Sequence, residues 1–270
     1  MDIGTAKPTP AELTAAPHHC LDLVDPDEPF SASDYKRAAL TALGDIATRD
    51  GVALLVGGTG LYLRAVARGL PLESGSSDPV VRAELDTRHA EAGLEPLVEE
   101  LRKRDPAAAT AIDLRNPRRV IRALERLILT GSAAPPEPEG YPAPVTWLGL
   151  APHPEEHRRS IGARIDDHFG SGLLDEAERL QARYRTDLPA FSAMGYREAF
   201  DVLAGHIDID EAKARDAKRT WAYARRQRTW FRAEPDLTWL EMGEGPVRAA
   251  AEALSPFLRD IGRDDYAGPR

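Results

Sequence analysis

Three stretches of the sequence gather groups that could act together chemically. The first is Gly57-Gly58-Thr59-Gly60, which follows the aliphatic run Val52-Ala53-Leu54-Leu55-Val56 and leads into Leu61-Tyr62-Leu63-Arg64-Ala65-Val66. Glycines let backbone N–H groups close on an anion, and a helix N-terminus adds partial positive charge, so this turn suits a phosphate. An ordinary tight strand-to-helix turn fits the same residues. No G-x-x-x-x-G-K-[ST] segment, nor even a Gly-Lys pair, occurs in the 270 residues, so they hold no Walker-type cradle. The second stretch runs from Asn116 to Arg126. Helical spacing there puts Arg115, Arg118, Arg122 and Arg126 on one stripe, a pattern that suits phosphates but also fits a solvated face with Glu125 among its partners.

The third stretch is Thr220 to Arg232. On a helix, Trp221, Arg225, Arg228 and Arg232 share one stripe, and Arg219, Tyr223, Arg226 and Trp230 the next. Basic residues interleaved with aromatics match single-stranded or looped RNA, whose backbone needs charge and whose unstacked bases need flat partners. Core anchoring by Trp221, Trp230 and Phe231 is the competing reading. Charge favours RNA: 35 basic against 44 acidic residues give −9 overall, yet residues 213–232 hold eight basic residues against Asp216, +7 locally and −16 elsewhere. Other chemistries find little support. His18 and His19 are adjacent, so on an extended chain they point apart, and Cys20 is the single cysteine, which does not make a metal site. No G-x-S-x-G hydrolase signature occurs.

The elements that must position these groups read as α/β. A helix over about 33–49, with Ser31 or Ser33 as N-cap, feeds a buried strand at Val52–Val56, the glycine turn and another helix. Two hinge-like stretches follow, Pro71–Pro79 and Ala133–Pro144, the latter with five prolines. Between them, residues 80–132 read as helices throughout, which predicts a helical subdomain inserted into an α/β core. The core resumes with a strand at Val145–Leu150 and helices near 154–169, 172–184, 195–204 and 210–232. The expected division is 1–74 with 143–258 as the core, 75–142 as the helical insert, and 259–270 as a frayed tail.

Length and composition agree with a globular chain of one or two domains. Hydrophobic residues make up 42% and charged residues 29%, which excludes the disordered regime. No apolar stretch approaches the roughly 20 residues a bilayer needs, and the N-terminus has no signal-peptide pattern, so neither membrane nor secretion is expected. A single cysteine suits a reducing cytoplasm.

With these segments in hand, the chain resembles the bacterial tRNA dimethylallyltransferases, a tRNA prenyltransferase family, over almost its whole length. The resemblance rests on Met1-Asp2-Ile3-Gly4-Thr5-Ala6-Lys7-Pro8, Pro17-His18-His19 with Val24–Glu28, Val56–Tyr62, Asn116–Glu125, Met194-Gly195-Tyr196-Arg197-Glu198, and Arg225–Arg232. It implies a P-loop-like α/β core of the nucleotide- and ATP-binding type, with an inserted helical domain gripping a tRNA anticodon stem-loop. It also implies transfer of a dimethylallyl group from dimethylallyl diphosphate to N6 of the adenosine 3′ to the anticodon, with Mg²⁺, in a cytoplasmic monomer. By motif matching, Thr59 and Arg82 resemble catalytic residues near the transferred group, and Gly57, Gly58 and Thr59 a diphosphate site. The resemblance places tRNA contacts at Arg118, Arg119, Val120, Ile121 and Arg122. Further contacts are implied at Ser192, Ala193, Met194, Gly195, Tyr196 and Arg197, and at Arg225, Arg226, Gln227, Arg228, Thr229, Trp230, Phe231 and Arg232.

One departure is large. In the family a first strand, the P-loop and a segment with the general-base Asp precede the Met-Asp-Ile-Gly-Thr-Ala-Lys-Pro motif, which here opens the sequence. The expectation is therefore a family member without its first phosphate-binding unit, through a displaced start or a truncated gene rather than evolved loss. Such a chain would be nearly inactive and would expose a sheet edge. Two other readings stay open: a non-catalytic RNA-binding derivative, and a small-molecule P-loop kinase relative whose inserted helices form a lid.

Overall fold

The computed structural model describes residues 1–49, 51–72, 77–242 and 246–262. In chain order its elements are α1 (Pro10–Ala15), α2 (Ala32–Ala47), α3 (Gly60–Ala67), α4 (Pro79–Ala92), α5 (Glu95–Arg104), α6 (Pro106–Ala111) and α7 (Pro117–Thr130). There follow β1 (Trp147–Pro152), α8 (Pro154–Gly170), α9 (Leu173–Gln181), a 3-10 turn (Pro189–Ser192), α10 (Tyr196–Leu203), α11 (Ile209–Phe231), β2 (Leu237–Met242) and α12 (Pro246–Asp260). The chain divides into two compact units, Met1–Leu63 with Pro142–Arg270, and Arg64–Tyr141.

The unit of residues 64–141 is helical because its sequence supplies both an apolar stripe and caps. Leu85 of α4, Leu97, Val98 and Leu101 of α5, and Val120, Ile121, Leu124 and Leu127 of α7 converge in one buried cluster. Three of the helix starts are closed by a side chain: Asp78 accepts from the Val80 and Val81 amides, Asp105 from Ala108, and Asn116 from Arg119 with Pro117 at the first helical position. Asp105 also takes the Ala133 amide at 3.1 Å, which ties the exit of α7 to the start of α6. Gly131 ends α7 in the left-handed region, at φ 80°. The continuous helix pattern over 80–132 is thus broken at Gly93–Leu94, Asp105 and Ile112–Asn116.

In the other unit β1 and β2 pair in parallel, Trp147 opposite Leu237 through Pro152 opposite Met242. Parallel strands need a long crossover, and α8 to α11 supply it. Leu173 and Ala177 of α9, Phe191, and Tyr196, Ala199 and Phe200 of α10 form the apolar centre of that crossover, and Ile3 packs against it. α2 starts in a reciprocal capping box between Ser31 and Asp34.

Two sequence expectations need correction. Val52–Val56 forms no strand: residues 51–57 carry no regular element, and Leu54 and Val56 are 81% and 80% exposed. A strand is held by ladder hydrogen bonds from its neighbours, and β1 and β2 bond to each other, not to this run. The later strand begins at Trp147 rather than Val145. Of the expected tail, residues 263–270 lie outside the described residues, while 259 and 260 close α12. Part of the first hinge, residues 73–76, also lies outside them. No helix among the described residues is long and apolar enough to cross a membrane.

Leu124 is fully buried at the centre of the helical cluster, so Leu124→Ala opens a cavity that its neighbours cannot refill. We expect a loss of about 3 kcal/mol in unfolding free energy, read from urea denaturation of the parent and the variant.

Candidate active site and nucleic-acid interface

The glycine turn enters α3 at Thr59, whose carbonyl accepts from the Tyr62 and Leu63 amides at 2.9 and 3.2 Å. The amides that open a helix have no acceptor within it and face the turn. Opposite lies α11. The Gln227 side-chain amide donates to the Gly58 carbonyl at 3.1 Å, and the Tyr223 and Thr59 hydroxyls stand 3.5 Å apart. The Trp230 ring lies against Gly60 so closely that a Cβ there would fall well inside van der Waals contact. Thr59 itself is exposed, leaving its hydroxyl accessible.

The basic segment of α11 is thereby sorted. On its N-terminal part Lys213 pairs with Asp166 at 2.8 Å, Arg215 with Glu211 at 2.6 Å and Arg219 with Glu198 at 2.6 Å. Among the described residues Arg225, Arg226, Arg228 and Arg232 carry no ion pair, and all four are exposed, as is Thr229. Repulsion among them is relieved by solvent and by one ring contact, the Arg226 guanidinium 5.7 Å over Tyr223. Trp221 is half-buried, with Arg158 stacked 4.5 Å over its ring, and Phe231 meets the edge of Trp230 at 4.9 Å.

Residues 192–197 are held by buried charge. Arg219 donates from Nη1 to both oxygens of Glu198 at 2.6 Å and from Nη2 to the Ser192 carbonyl at 3.0 Å. Beneath Gly195, which sits at φ 86°, lies Asp216, 1% exposed and accepting from the Thr220 hydroxyl at 3.2 Å. Burial, reinforced by the charge of Glu198, pushes the Asp216 carboxyl up to about 6. Tyr196 is fully buried and donates to Glu176 at 2.8 Å; burial first, then Glu176, raises its phenol. Glu176 in turn accepts from the amides of Asp2, Ile3 at 3.1 Å and Gly4 at 3.5 Å, anchoring the N-terminal motif. Of this segment, Ser192 and Arg197 are exposed, Ala193 and Met194 are half-buried, and the Tyr196 side chain faces inward.

The arginine stripe of α7 differs from its expected form. Glu125, read as a partner on a solvated face, is fully buried. It accepts from the Ser77 hydroxyl and the Asp78 amide, each at 3.1 Å, from Arg122 at 2.8 Å and from Arg82. Burial alone would raise its carboxyl, but the Arg82 and Arg122 guanidinia outweigh burial and hold it below the usual range. Arg126 is half-buried and donates to the Ala133 carbonyl at 3.1 Å, while Arg115 pairs with Asp113. The four guanidinia are therefore not a row open to phosphate. Arg118 and Arg119 are exposed, and Val120 and Ile121 belong to the apolar cluster, so their side chains are withheld from any ligand. Thr59 and Arg82 fall in different units.

Sequence reasoning passed over Glu176 and took Glu125 for a surface partner and Asp216 for a mere offset to the basic run, whereas all three are buried. Glu125 and Asp216 each stand alone as an acid in an otherwise apolar or basic stretch of helix, a signal that could have flagged them; Glu176, with Asp175 and Glu178 beside it, has no such signal. The side chains the structure places at the turn are the Thr59 and Tyr223 hydroxyls, the Gln227 amide and the Trp230 ring, whereas a hard dication is held chiefly by carboxylates and phosphates. Among the described residues no cluster of three or more His, Cys, Asp or Glu could hold a metal. The described residues around the turn therefore do not make a protein-held Mg²⁺ site.

Asp216 yields a pH prediction. Its folded pKa of about 6 lies above its ordinary value of 3.8, so the folded chain binds more protons between those values and stability falls as pH rises from about 4 to about 6. We expect Asp216→Asn to gain stability relative to the parent across that window and to hold the gain above it, measured as urea unfolding free energies at pH 4, 5, 6 and 7.

Comparison with known proteins gives these features a context. A family model described as IPP transferase matches residues 1–234. A tRNA dimethylallyltransferase of Roseiflexus sp. (strain RS-1) is 46% identical over 259 residues, 94% of this chain and 84% of that one. One of Moorella thermoacetica is 40% identical over 269 residues, 96% and 83% of the two chains. Among solved structures, the full-length tRNA isopentenylpyrophosphate transferase of Bacillus halodurans superposes with a TM-score of 0.69 at 35% identity, covering 98% of this chain and 86% of that one. A eukaryotic dimethylallyltransferase acting on tRNA shares the fold with a TM-score of 0.79 at 23% identity, over 96% and 69%. A match over 234 residues, joined to relatives this similar along most of their length, places the chain in the IPP transferase family of tRNA-prenylating transferases.

Proposed function

We propose that this chain carries the tRNA-binding and part of the diphosphate-binding machinery of a tRNA dimethylallyltransferase. The observation that carries the reading is the contact between the glycine turn and α11, because one helix then serves a phosphate-suited turn and a row of exposed arginines. The substrates are the anticodon stem-loop of tRNA and dimethylallyl diphosphate, and the helical unit of residues 64–141 grips RNA through Arg118 and Arg119. The target adenine leaves its stack, and its N6 attacks the allylic carbon. An N–C bond forms, the C–O bond to diphosphate breaks with its electron pair on oxygen, and the N6 proton passes to a base. Gly57, Gly58 and the Thr59 hydroxyl stabilise the charge growing on the diphosphate, as backbone donors and a hydroxyl do best when fixed in advance. Arg82, held by Glu125 within the helical unit, is the other residue that the family resemblance assigns to catalysis. Mg²⁺, which the family resemblance implies, would be held by the diphosphate rather than by these residues and would supply charge neutralisation there. The protein works as a cytoplasmic monomer.

A second reading, a non-catalytic RNA-binding derivative, shares the exposed arginines of α11 with the first and differs in predicting RNA binding without turnover. We also propose that the 270 residues by themselves turn over slowly or not at all, since they contain no G-x-x-x-x-G-K-[ST] segment.

Both readings require RNA at α11. We expect an unmodified anticodon stem-loop to bind with an affinity that falls steeply with salt. Replacing Arg225, Arg228 and Arg232 by alanine should weaken binding more than tenfold and reduce the slope of log affinity against log salt by about 0.7 for each phosphate that is no longer neutralised. Fluorescence anisotropy titrations at several salt concentrations measure both. A chain that ignores RNA, with the triple variant no different, contradicts the proposal and leaves the kinase-like reading in its place.

A further inference from the structure

We propose that Gln227, together with Tyr223 and Trp230, is a positioning residue for the Gly57–Gly60 turn, and that it does not read RNA. The proposal rests on the function above only in taking the turn for the diphosphate subsite; the contact itself stands on geometry.

Tyr223, Gln227 and Trp230 are spaced i, i+4, i+7, which at about 3.6 residues per turn stacks them on one face of α11. Arg225, Arg228 and Arg232 are spaced i, i+3, i+7 and fall on the opposite face by the same rule. The two faces have different surroundings. Gln227 is half-buried and donates to the Gly58 carbonyl, Trp230 is half-buried against Gly60, and the Tyr223 hydroxyl meets that of Thr59. The three arginines are exposed. The Gly58 carbonyl takes one N–H of the Gln227 amide and turns that side chain toward the glycine turn, away from the face that carries Arg225, Arg228 and Arg232. Gly58 and Gly60 are glycines for the same reason: a Cβ at either would meet the Gln227 amide or the Trp230 ring, so the turn is shaped to be gripped by α11. Gripping matters for chemistry, since donors to a leaving group act through being fixed before charge develops. The single hydrogen bond is modest, so its worth lies in holding the turn and the Thr59 hydroxyl in register with α11.

The test uses the whole chain labelled with ¹⁵N. A hydrogen bond accepted by the Gly58 carbonyl is felt at the next amide, so Gln227→Met, which keeps the length but removes the donor, should move the Thr59 amide resonance. It should also speed hydrogen exchange at the Tyr62 and Leu63 amides, which donate to the Thr59 carbonyl, by about tenfold, the exchange equivalent of that hydrogen bond. Gly58→Ala displaces the same amide from the other side. It should give the same change, and the double variant should exchange no faster than either single one. Arg228→Ala should leave the Thr59 resonance in place and weaken anticodon stem-loop binding at least fivefold more than Gln227→Met does. An unmoved Thr59 resonance in Gln227→Met, additive effects in the pair, or RNA loss in Gln227→Met matching that of Arg228→Ala overturns the proposal. A parent chain that binds no RNA would sink the functional reading alone, because the Thr59 resonance and the exchange rates still decide whether Gln227 holds the turn.

Discussion

The contact of α11 with the turn at Gly57–Gly60 is the constraint around which the larger unit is arranged. Residues about 170 apart in sequence meet there, one side an amide and an indole, the other a backbone with no side chain to keep them away. Closing so long a loop costs entropy that one hydrogen bond cannot offset. The packing of α8 to α11 supplies the difference, through Leu173, Phe191, Tyr196 and Phe200. The turn therefore inherits its rigidity from the crossover helices. Its own run, Val52–Val56, cannot provide it, because that run lies exposed and outside the β1–β2 ladder.

Buried carboxylates hold the remaining functional segments, each in a different way. Glu176 collects backbone amides from the N-terminal motif and the Tyr196 hydroxyl. Glu198, bound to Arg219, steadies the Ser192 carbonyl, and Asp216 lies under Gly195. Glu125 gathers two guanidinia and the start of α4. A buried charge is costly unless its lone pairs are filled, so an arrangement in which four donors meet one carboxylate admits few alternatives. That selectivity is what an active site needs from its supports. Asp216 is the exception, since its environment opposes ionisation, and it lends the loop a protonation-dependent stability.

Much of the fold was legible because helices announce themselves locally. Ser31, one of the two N-caps expected for α2, does cap it, Asp78, Asn116 and Asp208 open their helices by the same chemistry, and apolar spacing in α7 marks its buried face. The strand expected at Val52–Val56 was not legible, because a run of aliphatic residues specifies a strand only when a neighbour bonds to it. The site was half-legible. Glycines before a helix and arginines among aromatics marked the turn and α11, yet composition could not say that they touch. Nor could it separate the two faces of α11, since Gln227 and Trp230 sit within the same basic run as Arg225 and Arg228. The acids were the least legible: Glu176 and its partners at Asp2, Ile3 and Gly4 lie more than 170 residues apart.

The claim that the chain belongs to a prenyl-transferring machine is tested most directly by single-turnover transfer. A labelled dimethylallyl group would be supplied as its diphosphate, with Mg²⁺ and an unmodified anticodon stem-loop, to this chain and to one carrying a P-loop unit in frame before Met1. Label on the adenosine 3′ to the anticodon with the second chain, and little or none with the 270 residues, is the predicted result. RNA bound by both chains with label transferred by neither would contradict it and leave an RNA-binding protein built on a transferase fold.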